Sequence, residues 1–75
     1  MITPKQCKMA RIALDLDLNS LGKLAGVGIN TVSRFENGMG FQSRTVEKLR
    51  GALEAAGVEF IPENGGGAGV RLRKA

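Results

Sequence analysis

The apolar positions of this chain follow a helical period as far as Gly57 and an alternating one beyond it. Cys7, Ala10 and Leu14 recur at the i, i+3, i+7 spacing that collects side chains on one helical face, while Lys5 and Lys8 turn toward water. Ahead of them, Thr3-Pro4-Lys5-Gln6 joins a capping hydroxyl, a proline whose fixed φ suits a first helical turn, and a glutamine placed to cap in return. A first helix is therefore expected from Pro4 to about Leu14. A second, from Leu18 to Ala25, starts at Asp17, whose carboxylate accepts the free backbone N–H groups of the opening turn, and directs Leu21 and Ala25 inward. Gly26 ends it in the left-handed conformation that glycine adopts without strain, and Val27 packs beneath the turn. A third helix, Ile29 to Glu36, buries Val32 and Phe35 before Asn37-Gly38 closes it.

Ser43 is the expected cap of a fourth helix from Arg44 to about Ala56, with Val46, Leu49 and Leu53 as its inner stripe and Gly57 as its stop. Beyond Gly57, Val58 and Phe60 share one face, and after a glycine-rich loop Val70 and Leu72 share another, the pattern of a β-hairpin. Two strands alone are marginal in water, so the hairpin must lie against the helices or add its edge to another chain and so build a dimer. The expected fold is mainly α: a four-helix domain over residues 1–57 and a hairpin extension over 58–75, a candidate dimerisation element.

Composition narrows the function classes. With 75 residues, 43% hydrophobic and 24% charged, the chain makes one small folded domain with a modest core. The apolar runs are too short to span a bilayer and the N-terminus lacks a signal-peptide pattern, so a cytoplasmic location is expected. One cysteine, Cys7, cannot form an internal disulfide and reads as a small buried hydrophobe. The lack of histidine removes the common metal clusters and His-based triads, and no nucleophile has an identifiable base beside it. An enzyme is not expected, nor a cofactor, a metal or a small-molecule substrate. Gly26-Val27-Gly28 and the run from Gly65 to Gly69 do not sit between a strand and a helix and lack the Lys-Ser/Thr of a phosphate loop, so they read as turn and linker. The net charge of +4 favours polyanionic partners. It is concentrated at both ends, in Lys5, Lys8 and Arg11 with no acid through Leu14, and in Arg71, Arg73 and Lys74.

The run LGKLAGVGINTVSRFENG, Leu21 to Gly38, resembles the lambda-repressor-like helix-turn-helix family, the Cro/C1 or XRE type, whose pattern is L-A-x-x-A-G-V-S-x-x-T-I-S-x-x-E-N-G. Leu21, Ala25-Gly26-Val27, Thr31, Ser33 and Glu36-Asn37-Gly38 carry the likeness, joined by Arg11 and Leu16, and the frame covers about residues 3–57. The resemblance implies that residues 29–36 form a recognition helix for the DNA major groove, and that Arg11 pairs with Glu36 to fix its angle. The chemistry of the outward residues agrees: Asn30 can pair bidentately with adenine, Arg34 with guanine, and Ile29 can touch a thymine methyl. Thr31 and Ser33 are expected to reach phosphates, with Lys23, Arg44 and the amides at the start of the fourth helix as further phosphate clamps. Gly28 replaces the family's usual capping serine, Leu18 a frequent phosphate-binding glutamine, and Gly22 a common alanine. The last exchange alone is expected to soften the second helix by about 1 kcal/mol. The expected function is a transcriptional regulator, by preference a repressor, that binds double-stranded DNA as a homodimer. The alternatives are a protein-interaction adaptor, or the antitoxin of a toxin–antitoxin pair that represses its own operon.

Overall fold

Each helix begins where the local chemistry frees the chain from its previous turn. In the structure, a computed structural model that describes residues 1–73, α1 spans Pro4–Ala13, α2 Leu18–Ala25, α3 Ile29–Glu36 and α4 Ser43–Ala55. The strands β1, Val58–Ile61, and β2, Gly69–Leu72, follow as an antiparallel pair, which makes the fold mainly α with a terminal hairpin. Lys74 lies outside the described residues.

Thr3 and Gln6 form the reciprocal cap of α1: the Thr3 hydroxyl accepts the Gln6 N–H at 3.0 Å, and Gln6 Oε1 accepts the Thr3 N–H at 2.9 Å. Leu14 caps the other end instead of extending the helix, because Asp15 takes a left-handed φ of 57° and turns the chain away. At the head of α2 the Asp17 carboxylate accepts the Ser20 N–H at 2.7 Å, and that backbone donation holds the carboxyl below its ordinary value. Gly26 closes α2 with φ 73°.

Gly22 has a second role that its low helix propensity conceals. It is buried, and a Cβ there would stand 2.7 Å from the carbonyl oxygen of Val27, whose own N–H donates to Gly22 O at 2.9 Å. The turn between α2 and α3 folds directly over this residue, so a side chain would force the two helices apart.

The start of α4 differs from the expectation. Gln42, not Ser43, holds the N-cap position, and Ser43 is already helical, so its hydroxyl is not where a capping group must be. Phe41 packs edge-on against the buried Phe35 ring, with centroids 4.7 Å apart at 82°, and this anchor leads the chain into the helix one residue sooner. At its other end α4 stops at Ala55, with Ala56 as the cap and Gly57 in the left-handed region at φ 110°.

All four helices contribute to one core, in which Cys7, Ala10, Leu21, Val32, Phe35, Val46, Leu49 and Leu53 are fully buried. Ile2 and Val58 close it from the two flanks. The hairpin pairs Val58 with Leu72 and Phe60 with Val70, which places the apolar side chains of both strands on one face. That face is applied to the helices, β2 along α1 and β1 along α4. Gln6 fastens it: both hydrogens of its side-chain amide are donated, one to Ile61 O and one to Gly69 O, each at 3.0 Å. The hairpin thus lies against its own helices, the first of the two arrangements open to it. Among the described residues, no helix is long and apolar enough to cross a membrane.

Candidate nucleic-acid interface

The side chains of α3 divide between two opposed environments. Val32 and Phe35, three residues apart, are fully buried and hold the helix to the core. On the outside, Ile29 is 46% exposed, and Asn30 and Arg34, one turn apart, are exposed as well. Thr31 and Ser33 are half-buried at the edges between these faces. The three residues expected to read bases therefore share solvent access on the outward side, on a helix anchored from within.

Of the four expected phosphate ligands, Thr31 shares a cleft with the expected base reader Arg34, whereas Lys23, Ser33 and Arg44 do not border it. Thr31 and Arg34 border a cleft of about 340 Å³ whose other wall is Phe41, Gln42 and Thr45 at the start of α4. Arg44 is exposed in that same first turn of α4, and Lys23 is exposed in the last turn of α2. The Asn37 side-chain amide donates to Ser33 O at 2.9 Å and approaches Ser33 Oγ at 3.4 Å. Ser33 is thus tied into the C-terminal cap of its own helix, with only its hydroxyl proton left to offer. Gln42 and Thr45 escaped the sequence reading, although both lie close to Arg44 in sequence; only the shared cleft shows that they stand opposite Arg34.

The cations of this surface have no intramolecular counter-ions. Among the described residues the ion pairs engage Arg11, Arg50 and Arg71, and leave Lys23, Arg34 and Arg44 unpaired. The N-terminus of α3 is equally unoccupied, since Gly28 at its cap has no side chain to accept the free amides. A surface that keeps its positive charge and amide donors uncompensated retains full attraction for an anion.

Behind α3, the Arg11–Glu36 contact has the bidentate geometry that the resemblance implied. Arg11 Nε donates to Glu36 Oε2 and its terminal nitrogen to Oε1, both at 2.9 Å, while the remaining nitrogen donates to Leu16 O at 3.1 Å. The two side chains are only 13% and 5% exposed, so solvent screens the pair weakly. Hydrogen bonding to Glu36 raises Arg11 above its ordinary pKa. The Cys7 thiol donates to the same carboxylate at 3.7 Å, and burial, reinforced by the negative charge of Glu36, pushes it up to about 12. Glu36 is consequently gripped by Cys7 and Arg11 of α1, which fixes the angle at which α3 leaves the core.

No family model matches this chain, and no curated protein matches it.

Proposed function

We propose that this protein is a sequence-specific double-stranded-DNA-binding regulator of transcription, a repressor by preference, that inserts α3 into the major groove. The observation that carries this reading is the division of α3: Val32, Phe35 and Glu36 are locked to the core, while Ile29, Asn30 and Arg34 face outward on a rigid rod. A helix of that diameter fits the major groove, and these side chains offer it a methyl contact, an amide and a guanidinium fork. Thr31, with Gln42 and Thr45 across the cleft and Arg44 beside them, is suited to the phosphates that flank the groove. The arrangement agrees with the helix-turn-helix resemblance of residues 21–38. A cytoplasmic location is part of this proposal.

The longest extent of one chain is 30 Å, short of the about 34 Å between successive major-groove faces of a duplex. One copy therefore reads a single half-site, and two copies are needed to read an inverted repeat.

In vitro selection from random duplexes, followed by binding measurements over a salt series, tests the proposal. An enriched motif is expected, and log affinity should fall with log salt by about 0.9 for each phosphate contact. Selection that enriches nothing, together with affinity indifferent to salt, would refute it.

A further inference from the structure

Away from the outward face of α3, an apolar groove of about 940 Å³ lies beside α1. Met9 and Ile12 line it, together with Gly38 at the end of α3 and Ala68 of the hairpin loop. Met9 is 39% and Ile12 55% exposed, an open apolar strip on a domain with a small core. Lys5 and Lys8 border the same groove, and with Met9 and Ile12 they follow the i, i+3, i+4, i+7 spacing of one helical face. The face thus reads as basic toward the N-terminal end of α1 and apolar toward its C-terminal end.

Just beyond the end of α1 the charge reverses, with exposed Asp15 and Asp17. Among the described residues neither lysine forms an ion pair: Glu36, which also lines the groove, is held by Arg11, and Glu63 of the hairpin loop accepts the N–H groups of Gly65 and Gly67. An element that is basic at one end, apolar in the middle and acidic at the other end is complementary to itself when reversed. An antiparallel pairing with Met9 set against Ile12 of a second copy carries Lys5 toward Asp15 of that copy, and repeats the contact by symmetry.

We infer that the occupant of this groove is α1 of a second copy of the chain, packed antiparallel with Met9 and Ile12 at the two-fold axis. The inference stands apart from DNA binding and is tested without DNA. The opposite charges at the two ends select the antiparallel orientation, since a parallel pairing would bring Lys5 and Lys8 of the two copies together. The inner face of the hairpin is already occupied by its own helices, whereas this strip is left exposed among the described residues.

Sedimentation equilibrium of the full chain over a concentration series, at low and high salt, is the test. The parent should dimerise, slightly less at high salt as the Lys–Asp contacts are screened. Ile12→Glu should raise the dimer dissociation constant by about thirtyfold or more, because a two-fold interface counts each substitution twice. At concentrations low enough for parent and variant both to be monomeric, its melting temperature should match the parent's, since Ile12 is more than half exposed. If Ile12→Glu does not fold, Met9→Lys decides in its place. Lys5→Glu should weaken the dimer, and adding Asp15→Asn, which suits the left-handed backbone there, should restore part of the loss. A parent monomeric at every concentration would overturn the inference, including the case in which a synthetic leucine–glutamate helix perturbs Met9 and Ile12 and so reveals a foreign partner. A dimer that survives both Ile12→Glu and Met9→Lys would overturn it equally.

Discussion

The inner and outer sides of α3 use the same kinds of residue to opposite ends. Inside, a cation and a carboxylate, Arg11 and Glu36, are spent on each other in a bidentate, nearly solvent-free contact that also takes a thiol and a backbone carbonyl. Outside, Arg34 and Asn30 of the same helix remain exposed, and Arg34 has no ion-pair partner among the described residues. The inner groups are satisfied within the fold and therefore define geometry. The outer groups keep their hydrogen-bonding capacity and therefore remain available to a ligand. A recognition surface needs both, because donors read a pattern only when their spacing is held fixed by something else.

The inner side is the place to break this division most severely. Arg11→Ala leaves Glu36 buried without its counter-charge, and a loss of about 3 kcal/mol in unfolding free energy is expected, measured by chemical denaturation. Whatever protein remains folded should keep the parent's base preference, since Arg11 does not face outward.

Gly22→Ala comes next. Helix propensity alone would credit this change with about 1 kcal/mol of stabilisation. The added Cβ would stand 2.7 Å from Val27 O, which is backbone and cannot swing aside, so a net loss of roughly 1–3 kcal/mol is expected in the same measurement. DNA affinity should also fall, because the strained turn is the one that aims α3.

Alkaline pH probes the Cys7 corner of the inner contact. The folded thiol keeps its proton up to about 12, against 9.0 for an ordinary cysteine, so above pH 9 the unfolded state sheds a proton that the folded state retains. Stability from this group is complete below pH 9 and declines as pH rises toward 12, by about 1.4 kcal/mol per pH unit. Cys7→Ala should flatten that decline, as read from denaturation midpoints along a pH series.

The smallest expected effect is a gain. Gly28 caps α3 at φ −72° and ψ 154°, an ordinary backbone for any residue, and a Cβ there would meet only Thr31 Oγ1 at 3.9 Å. Gly28→Ser should cap the free amides and raise stability by about 0.5 kcal/mol in thermal melts.

Most of the helical frame was legible in the sequence because its signals are local. The Thr3–Gln6 box, the Asp17 cap, Gly26 and the apolar stripes lie within a turn or two of the elements that they define, and all appear where expected. What stayed hidden depends on residues distant in the chain. Gln6 looks like a capping partner, yet its amide also holds Ile61 and Gly69 of the hairpin, 55 and 63 residues away. Gly22 looks like a weak helix former until Val27 is seen above it. Ser43 looks like a cap until Phe41 is seen resting on Phe35, which advances the helix start to Ser43 and the cap to Gln42. In the candidate site, Asn30 and Arg34 could be placed by helical period alone, whereas Gln42 and Thr45 joined them only through packing.

The central claim is that α3 is anchored from inside so that Asn30 and Arg34 can read bases from outside. The most direct measurement is duplex selection repeated with Asn30→Ala and Arg34→Ala, with melting temperatures recorded alongside. Both variants should melt like the parent, and each should lose discrimination at its own base position by about 1–3 kcal/mol. Variants that melt like the parent and still select the parent's sequence would contradict the claim.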